Sequence, residues 1–131
     1  MAKGEPIRSF TELEAWQRAR ELHALVCSAC KQDAFRREFK LVGQIKSSAN
    51  SVMANLAEGF EKGSRAEFHK FVCIAKGSAG ETLSHLYAAL DDGCITREQF
   101  DTMTALAIRV GQIVGGLRKA VQPPPKNGKR R

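Results

Sequence analysis

The segment from Gln44 to Gly59 shows two stripes at helical spacing, and this pattern restricts the fold more than any other feature. One stripe is apolar and comprises Leu41, Ile45, Ala49, Val52 and Leu56. The other is small, polar and nearly uncharged, and comprises Gln44, Ser48, Ser51, Asn55 and Glu58. The apolar stripe is typical of the buried face of an α-helix. An exposed helix face usually carries Lys and Glu, so the polar stripe predicts close contact with another surface.

Three more segments, about 11–31, 64–90 and 96–121, show an apolar stripe with the same period. Each begins with Thr or Ser followed three residues later by Glu or Gln, at Thr11, Ser64 and Thr96, which predicts three capping boxes. No alternating strand pattern competes. We therefore predict an all-α protein, an antiparallel up-down-up-down four-helix bundle.

The predicted second helix runs from about Arg37 to Leu56 or slightly beyond, and Gly59 and Gly63 flank the turn that follows. A polar connection precedes it, beginning at Lys31. One domain fits the length, with the bundle over 9–122. Residues 1–8 are expected to be a flexible arm, and 123–131 a disordered tail, because three prolines stop the last helix and basic residues follow.

Charge and hydropathy give only broad bounds on function. The net charge is +7, and Lys126, Lys129, Arg130 and Arg131 supply four of these charges. No apolar run approaches the roughly 20 residues that cross a bilayer, and the N-terminus lacks the apolar core of a signal peptide. We expect a cytoplasmic protein without membrane contact, whose four cysteines are reduced.

Glycines inside the predicted third helix suggest where the polar stripe docks. Each interior glycine costs about 0.5–1 kcal/mol relative to alanine, yet Gly77 and Gly80 both occur there. We expect a polar seam or subunit interface between the second and third helices. Its predicted members are Gln44, Ser48, Ser51, Asn55, Glu58, Gly77, Gly80 and Glu81. Whether it lies within or between subunits stays open, and two small faces that simply tolerate solvent are the alternative.

Basic residues concentrate around the predicted second helix and the turn after it. Between positions 36 and 76 there are eight Lys or Arg and four Asp or Glu. The candidate nucleic-acid-binding residues are Arg36, Arg37, Lys40, Lys46, Lys62, Arg65, Lys70, Lys126, Lys129, Arg130 and Arg131. An ordinary solvated surface is the alternative interpretation, whereas several copies in one assembly would create a large positive field.

Metal or catalytic chemistry has little support in the sequence. His23, Cys27 and Cys30 share one helical face, and His69 and Cys73 are spaced i, i+4, so a tetrahedral zinc site is conceivable. Such residues on core stripes are more often packing residues. There is no Glu-x-x-His pattern, no nucleophile–base constellation and no phosphate-binding glycine loop. We expect no enzymatic activity and no cofactor.

Three groups of residues carry a resemblance to a known family. The first is Phe10, Leu13, Trp16 and Ala19; the second is Gln44, Ile45, Lys46, Ala49, Ser51, Asn55, Leu56, Ala57, Glu58 and Gly59; the third is Ser64, Glu67, Phe68, Phe71, Ile74, Ala75, Gly77, Ser78 and Glu81. Over residues 9–121 the chain resembles the four-helix-bundle proteins of bacterial 23S ribosomal RNA intervening sequences. That family is related to the accessory variability proteins of diversity-generating retroelements. The chain departs from the family pattern at Ser47, Met53 and Lys62, where the family often has a basic residue, Pro and Arg.

The resemblance implies a bundle that assembles as a homopentameric ring without enzymatic activity. It also implies that some relatives bind nucleic acid through a basic surface and partner with a reverse transcriptase. We therefore expect a scaffold or accessory protein that binds RNA or DNA weakly and with little sequence specificity. The alternatives are a purely structural interaction module without nucleic-acid binding, and a metal-binding bundle.

Overall fold

The computed structural model describes residues 5–125, and the elements within that range are helical. A 3₁₀-helix at Phe10–Glu12 precedes five α-helices. These are α1 (Glu14–Cys30), α2 (Asp33–Arg36), α3 (Phe39–Glu61), α4 (Arg65–Asp91) and α5 (Arg97–Ala120). The all-α prediction is confirmed for the described residues. Residues 1–4 of the predicted arm and residues 126–131 of the predicted tail lie outside the described range.

The four long helices pack around one core, and each of them contacts two of the others. α1 packs against α3 and α5, and α4 packs against the same two helices. The predicted apolar stripe of α3 lies in this core, since Ile45, Ala49, Val52 and Leu56 are fully buried. The buried residues of α1 are Ala15, Ala19, Leu22, Val26, Ala29 and Cys30. None of the helices over residues 5–125 is long and apolar enough to span a membrane.

The helix starts follow the predicted caps in part. Thr96 accepts from the Gln99 backbone N–H at 3.1 Å and Gln99 Oε1 accepts from the Thr96 N–H at 3.0 Å, which completes a capping box. Ser64 accepts from the Glu67 N–H at 3.1 Å. The prediction for Thr11 is wrong, because Ser9 caps a 3₁₀ turn there and α1 begins only at Glu14.

Two connections differ from the sequence prediction. The polar stretch after α1 contains the short helix α2, which is held by Phe35, a fully buried side chain. Gly59 does not end α3. It lies inside the helix, where a Cβ would come within 2.6 Å of Phe71 Cβ. The turn occurs instead at Gly63, whose φ of 85° lies in the left-handed region that glycine adopts without strain.

Candidate nucleic-acid interface

Four of the predicted nucleic-acid-binding residues lie between the end of α2 and the eighth residue of α3, and we name them the α3 N-terminal cluster. They are Arg36, Arg37, Lys40 and Lys46, and all are exposed. Burial of the Phe35 ring holds α2 in place, and this fixes the positions of Arg36 and Arg37, which follow Phe35 in the chain. Residues 31–46 contain five Lys or Arg and two Asp or Glu, so this stretch has a local charge of +3.

The acidic residues in that stretch neutralise the cluster only weakly. Arg36 Nε lies 3.1 Å from Asp33 Oδ1, but the two side chains are 55% and 88% exposed, so the pair contributes little energy. Glu38 forms no ion pair with the described residues. Burial, with smaller contributions from Glu38 and Asp92, raises the pKa of the Cys94 thiol. Among residues 5–125, Arg37, Lys40 and Lys46 form no ion pair.

The predicted residues after α3 form a second group, the α4 N-terminal cluster, which consists of Lys62, Arg65 and Lys70. The Nζ atoms of Lys62 and Lys70 lie 5.8 and 5.9 Å from the centre of the Phe71 ring. Along α3, the nearest members of the two clusters, Lys46 and Lys62, are about 24 Å apart at 1.5 Å per residue. The structure thus divides the predicted basic patch into two separate clusters.

Arg65 interacts with the end of α5. Its guanidinium donates from Nη2 to the Ala120 carbonyl at 3.1 Å and from Nε to the Val121 carbonyl at 3.3 Å. Carbonyls at a helix C-terminus lack partners inside the helix and attract cations. Arg65 therefore secures the point from which the predicted basic tail leaves the helices. The tail residues Lys126, Lys129, Arg130 and Arg131 lie outside the described part of the chain.

The predicted polar seam includes a hydrogen-bonded group between α3 and α4. Ser51 Oγ and Ser78 Oγ lie 2.8 Å apart, and the fully buried Thr82 hydroxyl donates to Ser48 Oγ at 2.9 Å. Asn55 Nδ2 donates to the carbonyl of Ser51 at 2.8 Å and to its hydroxyl at 2.9 Å. These bonds satisfy polar groups that would each cost about 1–3 kcal/mol if buried without a partner. Ser78 and Thr82 are seam residues that the glycine-based argument did not identify.

The remaining predicted seam residues face outward. Gln44, Glu58, Gly77, Gly80 and Glu81 are exposed. A Cβ built on Gly77 or Gly80 meets no heavy atom within 4 Å, so neither glycine is needed for packing inside the subunit. Glu81 Oε2 lies 3.4 Å from His85 Nε2. A role for these residues between subunits stays a prediction.

The candidate metal ligands form two separate pairs. His23 Nε2 lies 3.5 Å from Cys27 Sγ, and His69 Nε2 lies 3.7 Å from Cys73 Sγ. Over residues 5–125 no group of three or more His, Cys, Asp or Glu side chains converges. Burial, with a smaller contribution from Cys27, raises the pKa of the Cys30 thiol to about 11, which disfavours the thiolate that metals bind.

Sequence reasoning missed two residues with unusual environments. Phe39, the first residue of α3, is 81% exposed although it is a large apolar side chain. The side chain of Lys76, on α4, reaches α5 instead of solvent, and its Nζ donates to the Gly111 carbonyl at 2.8 Å. The signal for Phe39 was present in the segment Arg36–Lys40, where cations surround an aromatic residue. No comparable signal in the sequence pointed to Lys76.

Comparisons with known proteins agree with this helical architecture. The sequence model of the 23S rRNA-intervening sequence protein family matches residues 11–116. The chain belongs to this family. A crystal structure from Bacteroides thetaiotaomicron VPI-5482, described as a protein with unknown function from the S23 ribosomal protein family, matches with a TM-score of 0.74 and 24% identity. The match covers 80% of this chain and 95% of that one, and at this identity it shows the fold alone. No curated protein gave a significant match to this chain.

Proposed function

We propose that this protein is a non-enzymatic, homopentameric accessory or scaffold protein that binds RNA or DNA weakly and without strong sequence preference. The observation that carries the nucleic-acid role is the α3 N-terminal cluster. Its four cations are exposed, and among the described residues three of them have no ion partner. Exposed Lys and Arg without ion partners are the electrostatic footprint that phosphate backbones recognise. Five copies in a ring would add avidity.

An antiparallel up-down-up-down four-helix bundle is the architecture we propose for the subunit. Contacts between neighbouring helices support it. Along each contact the residue number falls on one helix as it rises on the next, as expected for antiparallel helices. On α3 and α4, Ser48 pairs with Thr82, whereas Ser51 pairs with Ser78. On α4 and α5, Arg65 reaches Ala120 while Lys76 reaches Gly111.

Self-association is supported by the outward surface of α3 and α4. Its exposed uncharged residues include Ser47, Asn50, Ala54, Ile74 and Gly77, and Glu58 and Glu81 are exposed on the same helices. Ala54, Ile74 and Gly77 cost little desolvation when another subunit covers them, whereas Ser47 and Asn50 would need hydrogen-bond partners there. The pentameric stoichiometry follows from the family resemblance, and so does the proposal that a reverse transcriptase is a protein partner. Co-purification with a reverse transcriptase encoded nearby would test the latter.

The proposed absence of enzymatic activity rests on the family resemblance and on the sequence, which contains no nucleophile–base constellation and no phosphate-binding glycine loop.

Fluorescence anisotropy with labelled RNA and DNA oligonucleotides tests the nucleic-acid role. We expect affinity to fall steeply between 50 and 200 mM salt, as counterion release requires. The variant Arg37→Gln/Lys40→Gln should bind more weakly than its charge-matched control on α5, Arg109→Gln/Lys119→Gln. Deletion of residues 123–131 measures the contribution of the tail. Absence of binding at 50 mM salt, or binding independent of salt, would instead favour a purely structural interaction module.

A further inference from the structure

Phe39 is exposed to a degree unusual for its size. Its 81% exposure exceeds that of the other exposed large hydrophobic residues over residues 5–125, of which Tyr87 is next at 54%. The preceding aromatic residue, Phe35, is fully buried. The chain therefore places one phenylalanine in the core and leaves another, four residues later, in water. A side chain of this kind is a candidate for contact with a partner.

Space around Phe39 is open along its own helix. The position one turn later is Gly43, and a Cβ built there meets no heavy atom within 4 Å. Residues at i and i+4 are neighbours on a helix surface, so a larger side chain at position 43 would lie beside the ring. Glycine leaves this position vacant, and a flat ligand can approach the ring from that side.

The charges around the ring identify the class of partner. Arg37 and Lys40 lie on either side of Phe39 in sequence, with the exposed Glu38 between Arg37 and the ring, and none of these three charges forms an ion pair with the described residues. Arg36, at the end of α2 and three residues before Phe39, adds a third exposed cation whose partner Asp33 is 88% exposed, so cations outnumber the anion beside the ring. An apolar protein partner would have to desolvate these cations, which is costly. A polyanion that also carries aromatic rings complements both features.

We propose that Phe39 is a stacking platform for an unpaired base, with Arg37 and Lys40 contacting the adjacent phosphates, so that this surface prefers single-stranded over duplex nucleic acid. The inference rests on the proposed nucleic-acid role and specifies its substrate class. Proteins that bind single strands combine a cationic groove with aromatic side chains on which bases stack. In a duplex the base faces are already covered by neighbouring pairs, and Phe39 gains nothing there beyond the phosphate contacts.

The test measures the affinity of the full chain for fluorescein-labelled dT12 and for the dT12·dA12 duplex in the same buffer. Phe39→Ala should weaken dT12 binding by roughly tenfold to a hundredfold, the effect of losing one stacked base, and leave duplex binding within about twofold. Phe39→Trp should retain the single-strand affinity. Tyr87→Ala, which removes another exposed aromatic ring on α4, is the matched control and should change neither affinity.

A spectroscopic measurement reports the stacking contact directly. Trp16 is the only tryptophan, so the variant Trp16→Phe/Phe39→Trp carries a single indole at position 39. Its fluorescence should be quenched by saturating dT12 and much less by the duplex. Equal quenching by both would overturn the preference for unpaired bases.

The outcomes separate this inference from the function on which it rests. Failure of the unmodified chain to bind either oligonucleotide overturns the proposed nucleic-acid role and the stacking role together. Salt-dependent binding that Phe39→Ala leaves unchanged overturns only the stacking platform. A lower solution mass for Phe39→Ala, measured by light scattering, would show that Phe39 is a contact between subunits and would also overturn the platform.

Discussion

At the scale of single residues, environments that periodicity cannot describe decide the role of a side chain. Gly59 and Gly77 are both helical glycines, yet a Cβ at Gly59 would lie 2.6 Å from Phe71 Cβ while one at Gly77 would meet nothing within 4 Å. Arg65 and Lys40 are both exposed cations, yet only Arg65 is bound to helix carbonyls. A helical glycine or an exposed cation therefore serves packing in one place and remains available to partners in another.

Replacement of the two glycines by alanine should have opposite effects on stability. At Gly59 the clash involves two Cβ atoms fixed to backbones, so α3 and α4 must separate. Overpacking of this kind costs about 1–3 kcal/mol, which exceeds the gain of up to about 1 kcal/mol in helix propensity. Gly59→Ala should lower the free energy of unfolding in urea, whereas Gly77→Ala should raise it by about 0.5–1 kcal/mol in the isolated subunit. A stabilised Gly59→Ala variant would contradict the close approach of the helices.

The buried thiol of Cys30 should make stability depend on alkaline pH. Its pKa is raised by burial from 9.0 to about 11, so the native state retains the proton that the unfolded chain loses. The free energy of unfolding should therefore fall as pH rises from 9 to 11, by on the order of 2 kcal/mol from this group. Urea titrations across this range should show a smaller fall for Cys30→Ala, and identical pH profiles for the two proteins would refute the assignment.

At the scale of elements, α3 and α4 are joined by both polar and apolar contacts. Thr82 and Ser48 provide a buried hydroxyl pair in the middle of the contact, while Phe68 and Phe60 pack edge to face at its end with ring centroids 6.0 Å apart. A buried hydrogen bond fixes register, because sliding one helix along the other would leave both hydroxyls without partners. The small residues of the polar stripe thus serve helix pairing within the subunit as well as the outward surface.

A double-mutant cycle should measure the hydroxyl pair. Thr82→Val removes the donor to Ser48 Oγ and to the Ser78 carbonyl, both 2.9 Å away, while preserving shape. The single changes Thr82→Val and Ser48→Ala should each cost about 1 kcal/mol, with a coupling of about 0.5–1.5 kcal/mol in urea unfolding. Thr102→Ala, an exposed threonine on α5, is the control that should have little effect. Strict additivity of the two single changes would rule out a stabilising bond.

Removal of the Arg65 guanidinium should affect stability more than binding. Arg65→Gln deprives the Ala120 and Val121 carbonyls of their donor, and we expect a loss of about 0.5–1 kcal/mol because the site is exposed. Arg109→Gln, which neutralises an exposed charge in the middle of α5, should leave the unfolding midpoint nearly unchanged. Equal stabilities for the two variants would argue against the anchoring of α5.

At the scale of the whole molecule, the fold separates surfaces with different chemistry. The nearest members of the α3 N-terminal cluster and the α4 N-terminal cluster, Lys46 and Lys62, lie about 24 Å apart along α3, and the outward surface of α3 and α4 lies between them. Self-association through that surface would leave both basic clusters uncovered. The proposed ring and the proposed polyanion binding are therefore compatible within one assembly.

The location of the subunit interface can be tested with two matched isoleucines. Ile74 is 44% exposed on α4 and Ile108 is 49% exposed on α5. Light scattering should give five times the 14.4 kDa chain mass for the unmodified protein. Ile74→Asp should dissociate this assembly at micromolar concentration, because a buried unpaired carboxylate is costly, whereas Ile108→Asp should not. A monomeric mass for the unmodified chain would contradict the pentamer, and dissociation by Ile108→Asp alone would move the interface to α5.

The sequence determined the helical class, the approximate limits of the long helices and the apolar face of α3, because these depend on local hydrophobic period and on caps within a few residues. It also carried the family resemblance that the match over residues 11–116 confirms. Only the tertiary structure decided that α2 forms around Phe35, that Gly59 is a contact point instead of a terminator, and that the basic residues divide into two clusters. These outcomes depend on which helices meet and how closely they pack. The contacting residues are far apart in the chain, and hydrophobic periodicity describes only residues that are close in sequence.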